Sequence, residues 1–143
     1  FRSFTDLAFA RLLIHESIHA YLSNYFVNDP NAANKDYPEL FSDYLNSQDT
    51  STAHHNYMGN KLISDIANAL KAYGISKGYN LSDEFYSDLS WGGLYGSSNG
   101  YWGAANGVTA FNSLTPAVRQ RIRDVNSAEN TSNSNKKGTK ACN

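Results

Sequence analysis

The chain has 143 residues, 41% of them hydrophobic and 17% charged, with a formal net charge of -1. That length fits one domain with a core large enough to stand without disulfide or metal staples. Near-neutral charge excludes attraction to a polyanion through bulk electrostatics, so no nucleic-acid partner is expected. No apolar run approaches the ~18 residues that span a bilayer. The single cysteine, Cys142, excludes an internal disulfide and any multi-cysteine zinc site.

The chain opens at Phe1 and moves almost at once into a helical pattern, which reads as part of a longer protein. Thr5 to about Phe26 is predicted as a long helix, with Thr5 or Ser3 as cap and Asp6 at the positive end of its dipole. Asn28-Asp29-Pro30-Asn31 ends it. Residues 38–45 suggest a short helix with Pro38 in its first turn. Thr50 or Ser51 then caps a second long helix, expected to run to about Tyr73 and close at Gly74. A linker over 75–82 leads into a third helix that begins at Leu81-Ser82-Asp83-Glu84 and ends near Trp91-Gly92-Gly93. Residues 92–107 are rich in glycine and carry Tyr95, Tyr101 and Trp102, which reads as an irregular loop. Thr115-Pro116 starts a last helix to about Asn126, and 127–143 is polar enough to be a flexible tail. The fold class is mainly α, with no alternating strand pattern. One domain is expected over residues 1–126.

The chemistry is concentrated in His15-Glu16-Ser17-Ile18-His19. On a helix, histidines at i and i+4 lie one above the other, so both imidazoles can reach one metal ion. Glu16 projects ~100° round from His15, where it borders such a metal without ligating it. Random placement of four His and four Glu in this chain would produce the pattern in roughly 0.3% of cases, so it is read as signal. On the same helical wheel Leu7, Ile14, Ile18, Tyr21 and Tyr25 form the opposite stripe, which is expected to be the buried one.

A catalytic zinc takes three protein ligands and keeps one position open, so a third donor is needed. Two histidines remain, His54 and His55. The apolar stripe Met58, Leu62, Ile66, Ala69 and Tyr73, projected back along the second helix, puts His55 in its middle. His54 falls ~100° away and more outward. His55 is therefore the preferred third ligand, with His54 or an acidic residue as the alternatives. Asp65 is a candidate for orienting an imidazole. Glu39 and Asp43 read as solvated carboxylates.

The run Leu12 to Leu22 is similar to the active-site helix of zincin-type metallopeptidases. Together with His54-His55-Asn56-Tyr57-Met58, Leu89 to Leu94 and Gly138 to Cys142, it resembles a group of zincin-like proteins from Bacteroidetes. The resemblance implies a zincin-like helical domain whose active-site helix packs on a second long helix, any small sheet being minor or upstream. It also implies a matching histidine at His55 and a secreted or cell-surface protein. No third histidine follows His19 at metzincin spacing.

The expected activity is Zn2+-dependent hydrolysis of a peptide or protein substrate. Zinc is held by His15, His19 and His55, and Glu16 is the general base that activates a water at the metal. Tyr21, Tyr57, Tyr95 and Tyr101 are candidates by type for stabilising the oxyanion. Two other readings are a zincin-like binding module without catalysis and a secreted toxin or effector hydrolase.

Overall fold

The computed structural model describes residues 3–28, 35, 38, 39, 42, 50–96 and 108–141. Among the described residues, six α-helices and one π-helical segment follow in order. They are α1 (Asp6–Asn28), α2 (Thr50–Tyr57), the π segment (Met58–Leu62), α3 (Ile63–Ser76), α4 (Asp83–Ser90), α5 (Thr109–Asn112) and α6 (Pro116–Thr131). The protein is mainly α. Among the described residues the only β pairing is an isolated antiparallel bridge, Thr5 with Lys140. No helix there is long and apolar enough to cross a membrane.

The helix starts follow the side chains that the sequence offers. The Thr5 hydroxyl accepts from the Ala8 amide at 3.1 Å and opens α1. Ser82 accepts from Phe85 N at 3.2 Å before α4, and Thr115 accepts from Val118 N before α6, with Pro116 at the first position. Each cap satisfies an amide with no partner inside its helix, an effect of about 1 kcal/mol.

The helix ends depart more from expectation. The second long helix does not close at Gly74. It runs to Ser76 and closes at Gly78, whose φ of +80° suits glycine. There Tyr79 N donates to Gly74 O, and Gly78 N donates to Ile75 O. This paired closure satisfies carbonyls that the helix leaves open. Gly74 is instead a packing residue, since a Cβ on it would lie 2.0 Å from the Tyr86 hydroxyl. α1 runs on to Asn28. The expected helix over 38–45 lies largely outside the described residues, as do Asp43, Tyr101, Cys142 and most of the loop 92–107.

The chain gathers into two units. The first comprises residues 1–14, 63–92 and 114–143. Its core holds Leu7, Ile66, Leu70, Tyr86, Leu89 and Ile122, each nearly inaccessible to solvent. Burying such side chains contributes about 1.5–3 kcal/mol each. Asn126 Nδ2 donates to the backbone oxygens of Asp88 and Ile122 at 2.8 and 3.0 Å, tying α6 to α4. Arg121 grips the buried Asp88 carboxylate through Nε and a terminal nitrogen.

The expectation of a loose tail from Ser127 is corrected in this unit. α6 continues to Thr131, with Ala128 and Glu129 buried. The segment after it returns to α1: Asp6 N donates to Thr139 O at 2.8 Å and Ala141 N to Phe4 O at 2.9 Å. The cause is Glu129. Its carboxylate accepts from the Thr5 hydroxyl, from Lys137 N and from Gly138 N. Composition alone hides that one enclosed acid organises a polar segment.

The second unit comprises residues 15–62 and 93–113. Leu22 and Ala53 are buried together, with Ile18 and Tyr57 packed against them. Met58, Leu94, Val108 and Phe111 are also buried. Val108 N donates to Leu94 O at 3.0 Å, joining the two sides of the glycine-rich segment. In the π segment, a Cβ on Gly59 would lie 2.6 Å from a methyl group of Val108, so this contact requires glycine.

Candidate metal centre

The histidine motif lies wholly on α1, as its spacing predicts, and α2 supplies the other two histidines. The burial pattern of α1 corrects one expectation in part. Over residues 6–24 its buried residues are Leu7, Ala8, Arg11, His15 and Leu22. Of the stripe expected to be buried, Leu7 is, whereas Ile14 and Ile18 are half-buried and Tyr21 is 55% exposed. On the motif side His15 is buried and His19 half-buried.

Three ring nitrogens converge within the second unit. His15 Nε2 lies 3.2 Å from His55 Nε2. His19 Nε2 lies 3.1 Å from His15 Nε2 and 3.0 Å from His55 Nε2. The rings do not stack. His19 meets His15 at 65° and His55 at 80°, so ring edges converge.

Protons alone do not satisfy this triangle. Each nitrogen of a neutral imidazole is either an N–H donor or a lone-pair acceptor. Three atoms sharing two roles leave at least one pair alike, N–H against N–H or lone pair against lone pair. A single cation removes the conflict, because all three lone pairs then face one positive charge. The spacing also fits. Nitrogens bound ~2.0–2.1 Å from a tetrahedral zinc stand ~3.3 Å apart. His15, His19 and His55 are the one group of His, Cys, Asp and Glu side chains among the described residues that is arranged to hold a metal ion. Three imidazoles suit zinc and also copper, iron or nickel.

Burial lowers the His19 imidazole below its ordinary value of 6.5, against an opposing pull from the Glu16 carboxylate. A lowered value keeps the ring neutral, which is the form that ligates. Glu16 itself is exposed on α1 and is not among the converging atoms. His15 and His55 are 7% and 6% exposed, so two of the three donors are held in a site that largely excludes water.

His54 departs from its expected place. It is 1% exposed rather than outward, and its Nδ1 lies 3.0 Å from Nδ1 of His19. The reason is the π segment. Each π turn takes up an extra residue, so a projection at a constant ~100° per residue from α3 back to α2 arrives about one residue out of phase, for His55 as well as for His54. The sequence signal for His54 was its place in a His-His pair, which the constant-period projection discounted.

Gly93 is the other residue whose position sequence reasoning left without a role. Its φ is +87°, and a Cβ there would stand 3.0 Å from Cε1 of His15. Its backbone therefore lies directly against the first motif imidazole. Trp91, two residues before, is buried and caps α4.

Of the acidic candidates among the described residues, Asp65 and Glu39 are not in this group. Asp65 is exposed on α3. Glu39 is exposed and pairs with Lys61 at 2.8 Å. Among the tyrosines, Tyr95 packs on Phe111 with ring centroids 5.8 Å apart. Tyr57 lies on the Leu22–Ala53 cluster, where burial raises its phenol above the ordinary value against the pull of Lys61.

Fold and site together define a mainly helical protein with a three-histidine constellation suited to a metal ion. No known protein family, no curated protein and no solved structure matches the chain.

Proposed function

We propose that the chain is a metal-dependent hydrolase, best read as a zinc metallopeptidase acting on a peptide or protein substrate. The observation that carries this reading is the triangle of Nε2 atoms, 3.0 to 3.2 Å on a side, which protons alone cannot satisfy. His15, His19 and His55 would hold the ion. When bound, it supplies a Lewis acid that polarises a carbonyl and acidifies a water.

The remaining chemistry belongs to Glu16. It follows His15 directly and is exposed, so its carboxylate is available to a bound substrate. It takes a proton from the attacking water as the water oxygen bonds to the carbonyl carbon. It then delivers that proton to the amine as the C–N bond breaks. A purely structural metal site has no use for this carboxylate, which favours hydrolysis over a silent binding module.

The test is metal analysis of the purified protein beside peptide-library hydrolysis, with Glu16→Gln as the control. Bound zinc near one equivalent is expected, with cleavage by the unaltered protein. Glu16→Gln should keep the metal and lose about 10²–10⁴-fold in rate. Protein without metal ends the reading. Metal without cleavage, or cleavage unaffected by Glu16→Gln, removes the hydrolase assignment and leaves a metal-binding module.

A further inference from the structure

One contact in the second unit is not used by the proposed mechanism. Nδ1 of His19 and Nδ1 of His54 stand 3.0 Å apart, and both rings are at least partly buried. Unlike the three Nε2 atoms, two nitrogens can be satisfied by one proton, one donating and the other accepting. Here the roles follow from the other side of the ring. If Nε2 of His19 gives its lone pair to a metal, the proton of that neutral imidazole is on Nδ1. His19 Nδ1 is then the donor and His54 Nδ1 the acceptor. The proton of His54 falls on its own Nε2.

We propose that His54 is a positioning residue, which accepts the Nδ1 proton of His19 and so holds His19 in the one tautomer and ring orientation that presents Nε2 to the metal. The proposal rests on the reading of His15, His19 and His55 as ligands and adds the residue that orients one of them. Each Nε2 of the triangle lies within 3.2 Å of both others, so holding the His19 ring still fixes one corner of it.

The position of His54 suits this work. It is 1% exposed, so water does not compete for the His19 proton. It precedes His55 on α2, so one helix carries both a ligand and the partner of another ligand. The choice of an imidazole also has a chemical consequence. A carboxylate partner raises the basicity of a ligating histidine. A neutral imidazole does so less, and leaves more of the positive charge on the metal to act on a substrate carbonyl.

The experiment measures Zn2+ affinity by competition with a chromophoric chelator, on the unaltered chain, His54→Ala and His54→Asn. Thermal unfolding of each metal-free protein reports the fold. His54→Ala should bind zinc about 10–100-fold more weakly, the usual effect of losing an outer partner of a ligand. His54→Asn should recover most of that loss, because its amide oxygen can accept in place of Nδ1. A His54→Ala protein that folds normally and binds zinc as tightly as the parent overturns the proposal, as does an Asn variant no better than Ala.

Should His54→Ala fail to fold, the unaltered protein decides. Long-range 1H–15N correlation spectra of the zinc form should show His54 protonated on Nε2, and protonation on Nδ1 overturns the proposal. Absence of zinc binding by the unaltered chain removes the metal reading and this proposal together. Tight zinc binding that ignores residue 54 removes this proposal alone.

Discussion

Glu129 in the first unit and the histidines in the second are both buried polar groups, and their surroundings treat them in opposite ways. The Glu129 carboxylate is fully enclosed and meets a hydroxyl and two backbone amides. The protein supplies every donor it uses, and the result is a clasp between α6, the segment after it and the start of α1. His15, His19 and His55 crowd three ring nitrogens together with no arrangement of protons that suits them all. Burial of polar groups is costly unless they are paired. A region that pairs its own groups is built for stability. A region whose own groups conflict in this way is one that a bound cation would relieve.

Variants sharpen this contrast. The largest effect is expected on removing one corner of the triangle, such as His19. Calorimetry of the parent with saturating zinc should show a rise in stability that a chelator reverses. At a thousandfold excess over Kd this is about 4 kcal/mol. His19→Ala should abolish the difference between the two conditions. Equal responses in parent and variant would break the contrast at its centre.

Glu129→Ala comes next. It orphans donors rather than ligands, so stability should fall by about 3 kcal/mol while zinc affinity stays within twofold. Glu129→Gln should cost less, because one acceptor oxygen remains. Denaturant titration beside zinc competition separates the two properties. A large loss of zinc affinity in Glu129→Ala would show that the clasp also serves the metal centre.

A matched glycine pair gives a smaller and more discriminating effect. Gly78 and Gly93 share a left-handed backbone, at φ +80° and +87°. A Cβ on Gly78 meets nothing within 4 Å, whereas on Gly93 it meets the His15 ring. Gly78→Ala should lose about 1–2 kcal/mol of stability from backbone strain and nothing in zinc affinity. Gly93→Ala should show similar strain together with weakened zinc binding. Equal zinc affinity in the two variants would show that the His15 contact is passive. The smallest effect is expected for Ser82→Ala, about 1 kcal/mol of stability from the lost cap, with the metal centre untouched.

What the sequence made legible follows from how local each signal is. The starts of α1, α4 and α6 were readable because Thr5, Ser82 and Thr115 act on amides three residues away. The pairing of His15 with His19 was readable because one helix carries both. The clasp at Glu129 was not, because its partner Thr5 lies 124 residues away and polar composition alone resembles a tail. His54 was misplaced because the five-residue π segment interrupts the constant helical rotation on which the projection relied. Gly93 could be seen as a turn glycine, but only its approach to His15 gives a reason for it.

The bridge between Thr5 and Lys140 also changes how the chain can be thought of as a string. Backbone hydrogen bonds from Asp6 N to Thr139 O and from Ala141 N to Phe4 O set residues 4–6 beside residues 139–141 in the first unit. In connectivity the unit is therefore nearly a ring. A short flexible linker could join these two segments, and the chain could be reopened elsewhere, with the order of helices shifted and their neighbours retained.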